Sequence, residues 1–229
     1  MLILKAFLRK VLFLLIIDSV FTAIAVNSGT GKTYSAVEFS EELLNNNSEE
    51  YVFITNISSY FETIKNELEK GSKGEGKIFL IKDLLIIMQR VCTDEFKDKH
   101  IIIFFDEVFT ALEKTGSLRG DVLTFLSQCR KRNIIFLTTC QEWSELNITL
   151  RRYVRYQVNC NMRKIPFTHK AIVFNDINDG DTIHWDSVSN DWVSDRIQTN
   201  IRKGNADIIL KYDTLETIKA LSLLNRKFT

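Results

Sequence analysis

The stretch S-V-F-T-A-I-A-V-N-S-G-T-G-K-T, residues 19–33, decides how the rest of the chain is read. Residues 19–26 form a short β-branched apolar run, and apolar residues then recur at Ala36, Val37, Phe39, Leu43 and Leu44 with helical spacing. A strand, a tight glycine loop and a helix are therefore expected in succession. Gly29-Thr30-Gly31-Lys32-Thr33 fits the second half of GxxxxGK[ST], a loop whose backbone N–H groups and following helix N-terminus cradle phosphates. Asn27, Ser28, Gly29, Thr30 and Gly31 would wrap the phosphates and Lys32 would reach their outer oxygens, while the Thr33 hydroxyl would ligate Mg²⁺. The first glycine of the pattern falls on Val26, so the loop's entry must be built differently.

Outward from this motif, residues 51–55 (YVFIT), 100–105 (HIIIFF), 133–139 (NIIFLTT) and 153–159 read as strands. Helical spacing links them: a polar segment up to Lys70, an amphipathic stretch over 78–91, and a helix over 118–132. Strands alternating with helices argue for a mainly parallel sheet covered on both faces. Beyond Phe167 short strands over 170–174, 182–185 and 191–193, separated by turn signals, predict an antiparallel extension, and 213–224 predicts a final helix. The expected organisation is an apolar segment over 1–18 followed by a single α/β domain over 19–229, with a core over 19–160 and the extension over 161–229.

Composition narrows the classes. The 229 residues are 45% hydrophobic and 26% charged, which excludes disorder and leaves room for one substantial core. A net charge of +1 excludes a chain-wide basic surface, so any argument for a nucleic-acid partner must be local. Cys92, Cys129, Cys140 and Cys160 form no CxxC pair, and read as reduced core thiols. The apolar 1–17 run with Ala23-Ile24-Ala25 resembles a signal peptide. Cleavage after Ala25 would remove the strand the phosphate loop requires, and Asp18 breaks the run short of a spanning length. A host-cytoplasmic protein whose first segment is buried or interfacial is the expectation.

The strand over 100–105 ends in Asp106-Glu107, at the position where open α/β sheets bind ligands. Asp106 would hold the Mg²⁺ shell and Glu107 would polarise an attacking water. The competing reading is that the pair caps a helix. The next core strand ends in Thr138-Thr139-Cys140-Gln141, which places Gln141 level with Glu107 if the two strands are neighbours. An amide there can orient water or sense the γ-phosphate. Between Arg130 and Lys164 eight basic residues stand against two acidic ones, so charge is segregated. Two uses follow: contacts to DNA phosphates, or an arginine donated to a neighbouring subunit's nucleotide from among Arg130, Arg132, Arg151, Arg152 and Arg155. Lys73 and Lys77 lie in a Gly/Lys stretch that reads as a flexible loop, with a pore loop as the alternative. Trp143, Trp185 and Trp192 read as core or hairpin packing.

The set GTGKT, IIIFFDE, CRKRNIIFLTTCQ and LRRYVRYQV resembles the FtsK/HerA superfamily of DNA-pumping P-loop ATPases, especially viral packaging ATPases and the related Zot-like assembly proteins of filamentous phages. The resemblance covers about residues 19–160. It implies a RecA-like P-loop NTPase sheet, ATP and Mg²⁺ as ligands, and Lys32, Thr33, Asp106, Glu107 and Gln141 as site residues. An arginine in trans, with Arg130 and Arg132 the first candidates, belongs to the same pattern. It further implies double-stranded DNA as partner and a ring of identical subunits, a hexamer in the first instance, at a capsid vertex or membrane. Two rival expectations stand beside genome packaging: extrusion of a phage through an envelope pore, and nucleotide binding without turnover, which Val26 favours and Glu107 opposes.

Overall fold

A computed structural model describes residues 21–25, 31–46, 50–73, 75–97, 99–108, 120–165 and 171–212. In chain order these form β1 (Phe21–Ala25), α1 (Lys32–Asn46), β2 (Tyr51–Thr55), α2 (Ser58–Glu69), β3 (Gly76–Leu80), α3 (Leu84–Val91), β4 (His100–Phe105), α4 (Gly120–Cys129) and β5 (Ile134–Cys140). They continue with α5 (Ile148–Arg151), β6 (Tyr156–Lys164), β7 (Ala171–Asp179), β8 (His184–Asp186), β9 (Asp191–Val193), β10 (Arg196–Lys203) and α6 (Ala206–Ile209). Among the described residues, β8 and β9 form a separate hairpin and the remaining strands one eight-stranded sheet of order β10-β7-β6-β1-β5-β4-β2-β3. From β6 to β3 neighbouring strands run parallel, and β7 and β10 add antiparallel pairs.

The central strands read as unbroken apolar runs because both of their faces are covered. In β4, Ile101, Ile103 and Phe105 enter one core with α3 and α4, while Ile102 and Phe104 enter the other with α1 and α2. β2 and β5 divide the same way: Val52, Ile54, Ile134 and Phe136 face α3 and α4, and Phe53, Ile135 and Leu137 face α1 and α2. The strand leading to the phosphate loop, β1, lies beside β5, so β5 separates it from β4. All the parallel strands therefore end on one edge of the sheet, where residues 31–33, Asn56, Asp106 and Gln141 follow them.

The sequence reading needs three corrections here. The stretch over 78–91 is not one amphipathic unit. Its start completes the edge strand β3, and Asp83 then caps α3 by accepting hydrogen bonds from the N–H groups of Leu85 and Ile86. The antiparallel extension gains β10, and it joins the main sheet through β6, which pairs with β1 on one side and β7 on the other. Lys73 is not a pore-loop lysine. Its side chain is 2% exposed and its ammonium meets Glu41 at 2.8 Å, Asn45 at 2.8 Å and Glu67 at 3.4 Å. The helix expected over 213–224 and the 1–18 segment lie outside the described residues.

Glu41 is the centre of that buried cluster, accepting from Lys73, from Lys211 at 2.7 Å and from the Tyr60 hydroxyl at 3.0 Å. Burial alone would raise its carboxyl, but the hydrogen bonds from Lys211 and Lys73 outweigh that cost and hold it below the usual carboxylate range. Its stabilisation is therefore present above the unfolded carboxylate pKa of about 4.3 and lost as pH falls through the lower folded value. Glu41→Gln, which leaves two buried lysines short of a counter-charge, should lower the unfolding free energy at pH 7 by about 3 kcal/mol. In urea denaturation the deficit should shrink as acid pH falls through the lowered folded value, where wild-type Glu41 itself becomes protonated. Equal stability of the two proteins at pH 7 would show the cluster to be energetically idle.

Candidate nucleotide site

The phosphate loop enters the described structure at its last glycine. Gly31 has φ +90°, a conformation L side chains avoid, and a Cβ there would stand 2.9 Å from Met162 Cε on β6. The positive φ fixes glycine at this position, and the Met162 contact, made by the far end of a flexible side chain, adds a smaller cost. The Gly31 carbonyl accepts from Ser35 N–H at 2.9 Å, which opens α1 and sets Lys32 and Thr33 on its first turn. The free N–H groups and positive dipole end of such a turn favour anions. Val26, Asn27, Ser28, Gly29 and Thr30, expected to complete the cradle, lie outside the described residues.

Across the sheet edge, the Thr33 hydroxyl reaches the Asp106 carboxylate at 3.3 and 3.5 Å. Thr139, near the end of β5, donates from its hydroxyl to Asp106 Oδ1 at 2.5 Å and accepts from Glu107 N–H at 2.8 Å. Asn56, directly after β2, takes both backbone groups of Asp106: its Oδ1 accepts from Asp106 N–H at 2.8 Å and its Nδ2 donates to Asp106 O at 2.9 Å. Glu107 then leaves the strand with φ +56°, a strained setting for a non-glycine residue and common at functional sites. β4 and β5 are neighbours with Phe105 opposite Thr138, so Glu107 and Gln141 follow adjacent strand ends. Both are partly buried there.

Asp106 carries the site's electrostatic signature. Burial pushes its carboxyl up, the Thr139 hydrogen bond opposes this and the neighbouring Glu107 adds to it, leaving a pKa of about 6. Tyr212 borders the same carboxylate: burial first, then the charge of Asp106, push its phenol well up. Asn56, Thr139 and Tyr212 were missed by sequence reasoning. The signal for Asn56 was available, as a polar residue at the exit of a buried strand on the ligand-binding edge. The others act through contacts that no spacing encodes.

The arginines lie elsewhere. Arg132 donates to the carbonyls of Thr93 at 2.8 Å and Val91 at 3.4 Å, closing the end of α3. With the backbone of Arg130 it precedes β5, which separates both from Gln141 by its seven residues, or about 20 Å. Neither stands within reach of the phosphate site of its own chain. Arg151 is held by the carbonyls of Leu146 and Ser144 and lies over Trp192 at 5.1 Å, and Arg155 pairs with Asp181. Trp143 is buried, while Trp185 and Trp192 meet edge to face on the β8–β9 hairpin. The four cysteines are free thiols.

A family profile described as Zonular occludens toxin (Zot) matches residues 24–189. No curated protein matches the chain significantly. Among solved structures, the N-terminal domain of zonular occludens toxin from Neisseria meningitidis is similar at TM-score 0.54 and 16% identity, covering 86% of this chain and 100% of that one. B204, the DNA-packaging ATPase from Sulfolobus turreted icosahedral virus, gives TM-score 0.47 and 10% identity over 82% of this chain and 99% of its own. The KaiC-like protein PH0186 from Pyrococcus horikoshii gives 0.44 and 16% over 69% and 79%. A glycine-lysine-threonine turn facing a strand-end aspartate, set in a mainly parallel sheet covered by helices, is thus accompanied by a profile match over more than half the sequence, and the chain belongs to the Zot family.

Proposed function

We propose that this protein hydrolyses ATP with Mg²⁺ and uses the energy, in a ring of identical subunits, to move viral DNA. The observation that carries the reading is the Thr33–Asp106 contact beside Lys32, locked from behind by Thr139 and Asn56. Hydroxyl and carboxylate oxygens are the hard donors Mg²⁺ selects, and a buried carboxylate with a pKa pushed up to about 6 is one that a cation would return to its charged form. Thr33 and Asp106 would hold the ion, whose chemistry is charge neutralisation on the transferring phosphoryl group. Lys32 binds the phosphate oxygens. Glu107, presented at the bend after β4, accepts the proton of the attacking water, and Gln141 orients that water.

Family membership favours the assembly and extrusion reading over genome packaging. Both readings move DNA. Work at a membrane or capsid vertex on the host-cytoplasmic side accords with either reading. Among the described residues no helix is long and apolar enough to cross a membrane. ATP turnover measured with single-stranded DNA, with duplex and with neither tests whether DNA is the cargo and in which form. Stimulation that falls with rising salt is expected for a motor gripping phosphates, and turnover indifferent to both DNA forms would remove DNA from the reading.

Lys32→Ala should abolish ATP turnover with the melting temperature unchanged, since Lys32 serves phosphate. Turnover at the wild-type rate would end the phosphate-loop assignment. Glu107→Gln should keep ATP binding, measured with a fluorescent analogue, and lose at least about 100-fold in kcat. A loss of only a few-fold would make Glu107 a bend residue and no base.

Asp106→Asn should abolish turnover yet stabilise the nucleotide-free protein. The raised carboxyl penalises the folded state above its pKa of about 6, and the penalty disappears as pH falls toward the unfolded value of about 3.9. The gain in urea denaturation should be about 2 kcal/mol at pH 7.5 after allowance for partial exposure, and close to zero at pH ~4. A gain that is the same at both pH values would show that charge burial is not its cause.

A further inference from the structure

Among the described residues, the three-stranded wing β6–β7–β10 is packed along one side, and on its other side the paired Gln157 and Asn178 are buried while the rows toward the end of β6 are open. Toward α1 it buries Val158, Cys160, Val173 and Ile177, and Arg202 pairs with Glu38 and Glu42 of α1. On the open side the strand registers align two cross-strand rows: Arg163, Ile172 and Lys203, then Asn161, Phe174 and Ile201. Asn161, Arg163 and Lys203 are exposed, and Ile201 is 61% exposed. The Arg163 guanidinium lies over the Phe174 ring at 5.6 Å, and neither Arg163 nor Lys203 has a carboxylate partner among the described residues. In the next row Asp176 is already engaged by Thr199 at 2.5 Å and Arg196 at 3.8 Å.

Charge decides what fits. β10 reads RIQTNIRK, with three cations and no carboxylate, and β6 ends in Arg163-Lys164. Antiparallel pairing of β10 with a second copy of itself would set Arg196 against Lys203, a like-charge contact that disfavours self-association. The complementary partner is anionic. A flat face with a cation-capped aromatic, amides and two unpaired cations matches phosphates and unstacked bases, whereas a rigid duplex would leave the aromatic row unused. The location matters as well: β6 and β10 both end toward the edge that carries Lys32 and Asp106, and Met162, next to Arg163, is the side chain packed against Gly31.

We propose that the outer face of the β6–β7–β10 wing binds single-stranded nucleic acid, with the N–H edges of Arg163 and the Lys203 ammonium on phosphates, a base stacked on the plane of the Arg163 guanidinium that Phe174 supports from beneath, and Asn161 bonding to bases. This deepens the DNA-moving function proposed above by naming the surface and the strandedness. The test is fluorescence anisotropy of a labelled oligothymidylate with the full chain and no nucleotide. Arg163→Glu with Lys203→Glu should weaken binding at least about tenfold and flatten the salt dependence by about 1.4 log units per log unit, as two lost contacts to a single strand require. Phe174→Leu should cost about tenfold. Asn161→Lys should tighten binding severalfold, which a misfolded protein would not do, and Lys65→Glu on exposed α2 should change nothing. Wild-type affinity in the charge-reversed protein, absence of binding by the wild type, preference for a duplex of equal length, or dissociation of an oligomer by the reversal would each overturn the surface. Basal turnover read in parallel separates the two proposals: binding lost as predicted in a chain without ATPase activity would sink only the hydrolysis reading, and unaltered binding in an active ATPase only this one.

Discussion

The carboxamide of Asn56 grips the backbone of Asp106 by both its N–H and its C=O, and the candidate site depends on that grip. β2 and β4 pair in parallel up to Thr55 and Phe104. Asn56 continues the ladder with side-chain atoms, which lets β4 run beyond its partner and leave the sheet at Asp106. Only with that backbone fixed can Glu107 occupy a left-handed conformation, and only then does Thr139 touch both residues at once. Removing the Asn56 amide would leave two backbone groups to find other partners at the place where the carboxylate must be held still.

A second constraint acts through α1. Its acidic residues face three partners from distant parts of the chain: Arg202 meets Glu38 and Glu42, and Lys73 and Lys211 meet Glu41. The helix that begins at Lys32 is thereby tied to the β2–β3 connection, to β10 and to the segment after α6. That last segment is bonded again where the Thr63 hydroxyl donates to the Lys211 carbonyl at 3.2 Å, and the residue entering α6 is tied to α1 where Asn205 N–H donates to the Tyr34 hydroxyl at 2.8 Å. Buried ion pairs of this kind add little net stability over apolar packing, but they specify geometry, because each charge is costly without its own partner.

What the sequence disclosed follows from where water is. β2, β4 and β5 were legible because both of their faces are dry, so they read as continuous apolar runs ending in polar residues on the functional edge. β3 and β10 escaped notice because each is an edge strand with one wet face, and RIQTNIRK offers no apolar periodicity to find. In the site, Lys32, Thr33, Asp106 and Glu107 were legible because their spacing to a strand end is fixed by the loop they belong to. Asn56 and Thr139 reach Asp106 across 50 and 33 residues of sequence, contacts that only the strand order creates. Lys73 misled for a related reason: a lysine among glycines has the local appearance of solvent, and its burial depends on carboxylates from two other helices.

The dual pairing of β6 has a mechanical consequence. This strand is bonded to β1 in parallel and to β7 antiparallel, and the Met162 side chain presses on the glycine that ends the phosphate loop. A pull applied along the strand from the wing meets both rows of hydrogen bonds lengthwise, so the load is shared in shear across many bonds and is not taken one bond at a time as in peeling. β6 therefore behaves as a stiff rod between the wing and the loop, able to carry a displacement without coming apart from the sheet that holds it.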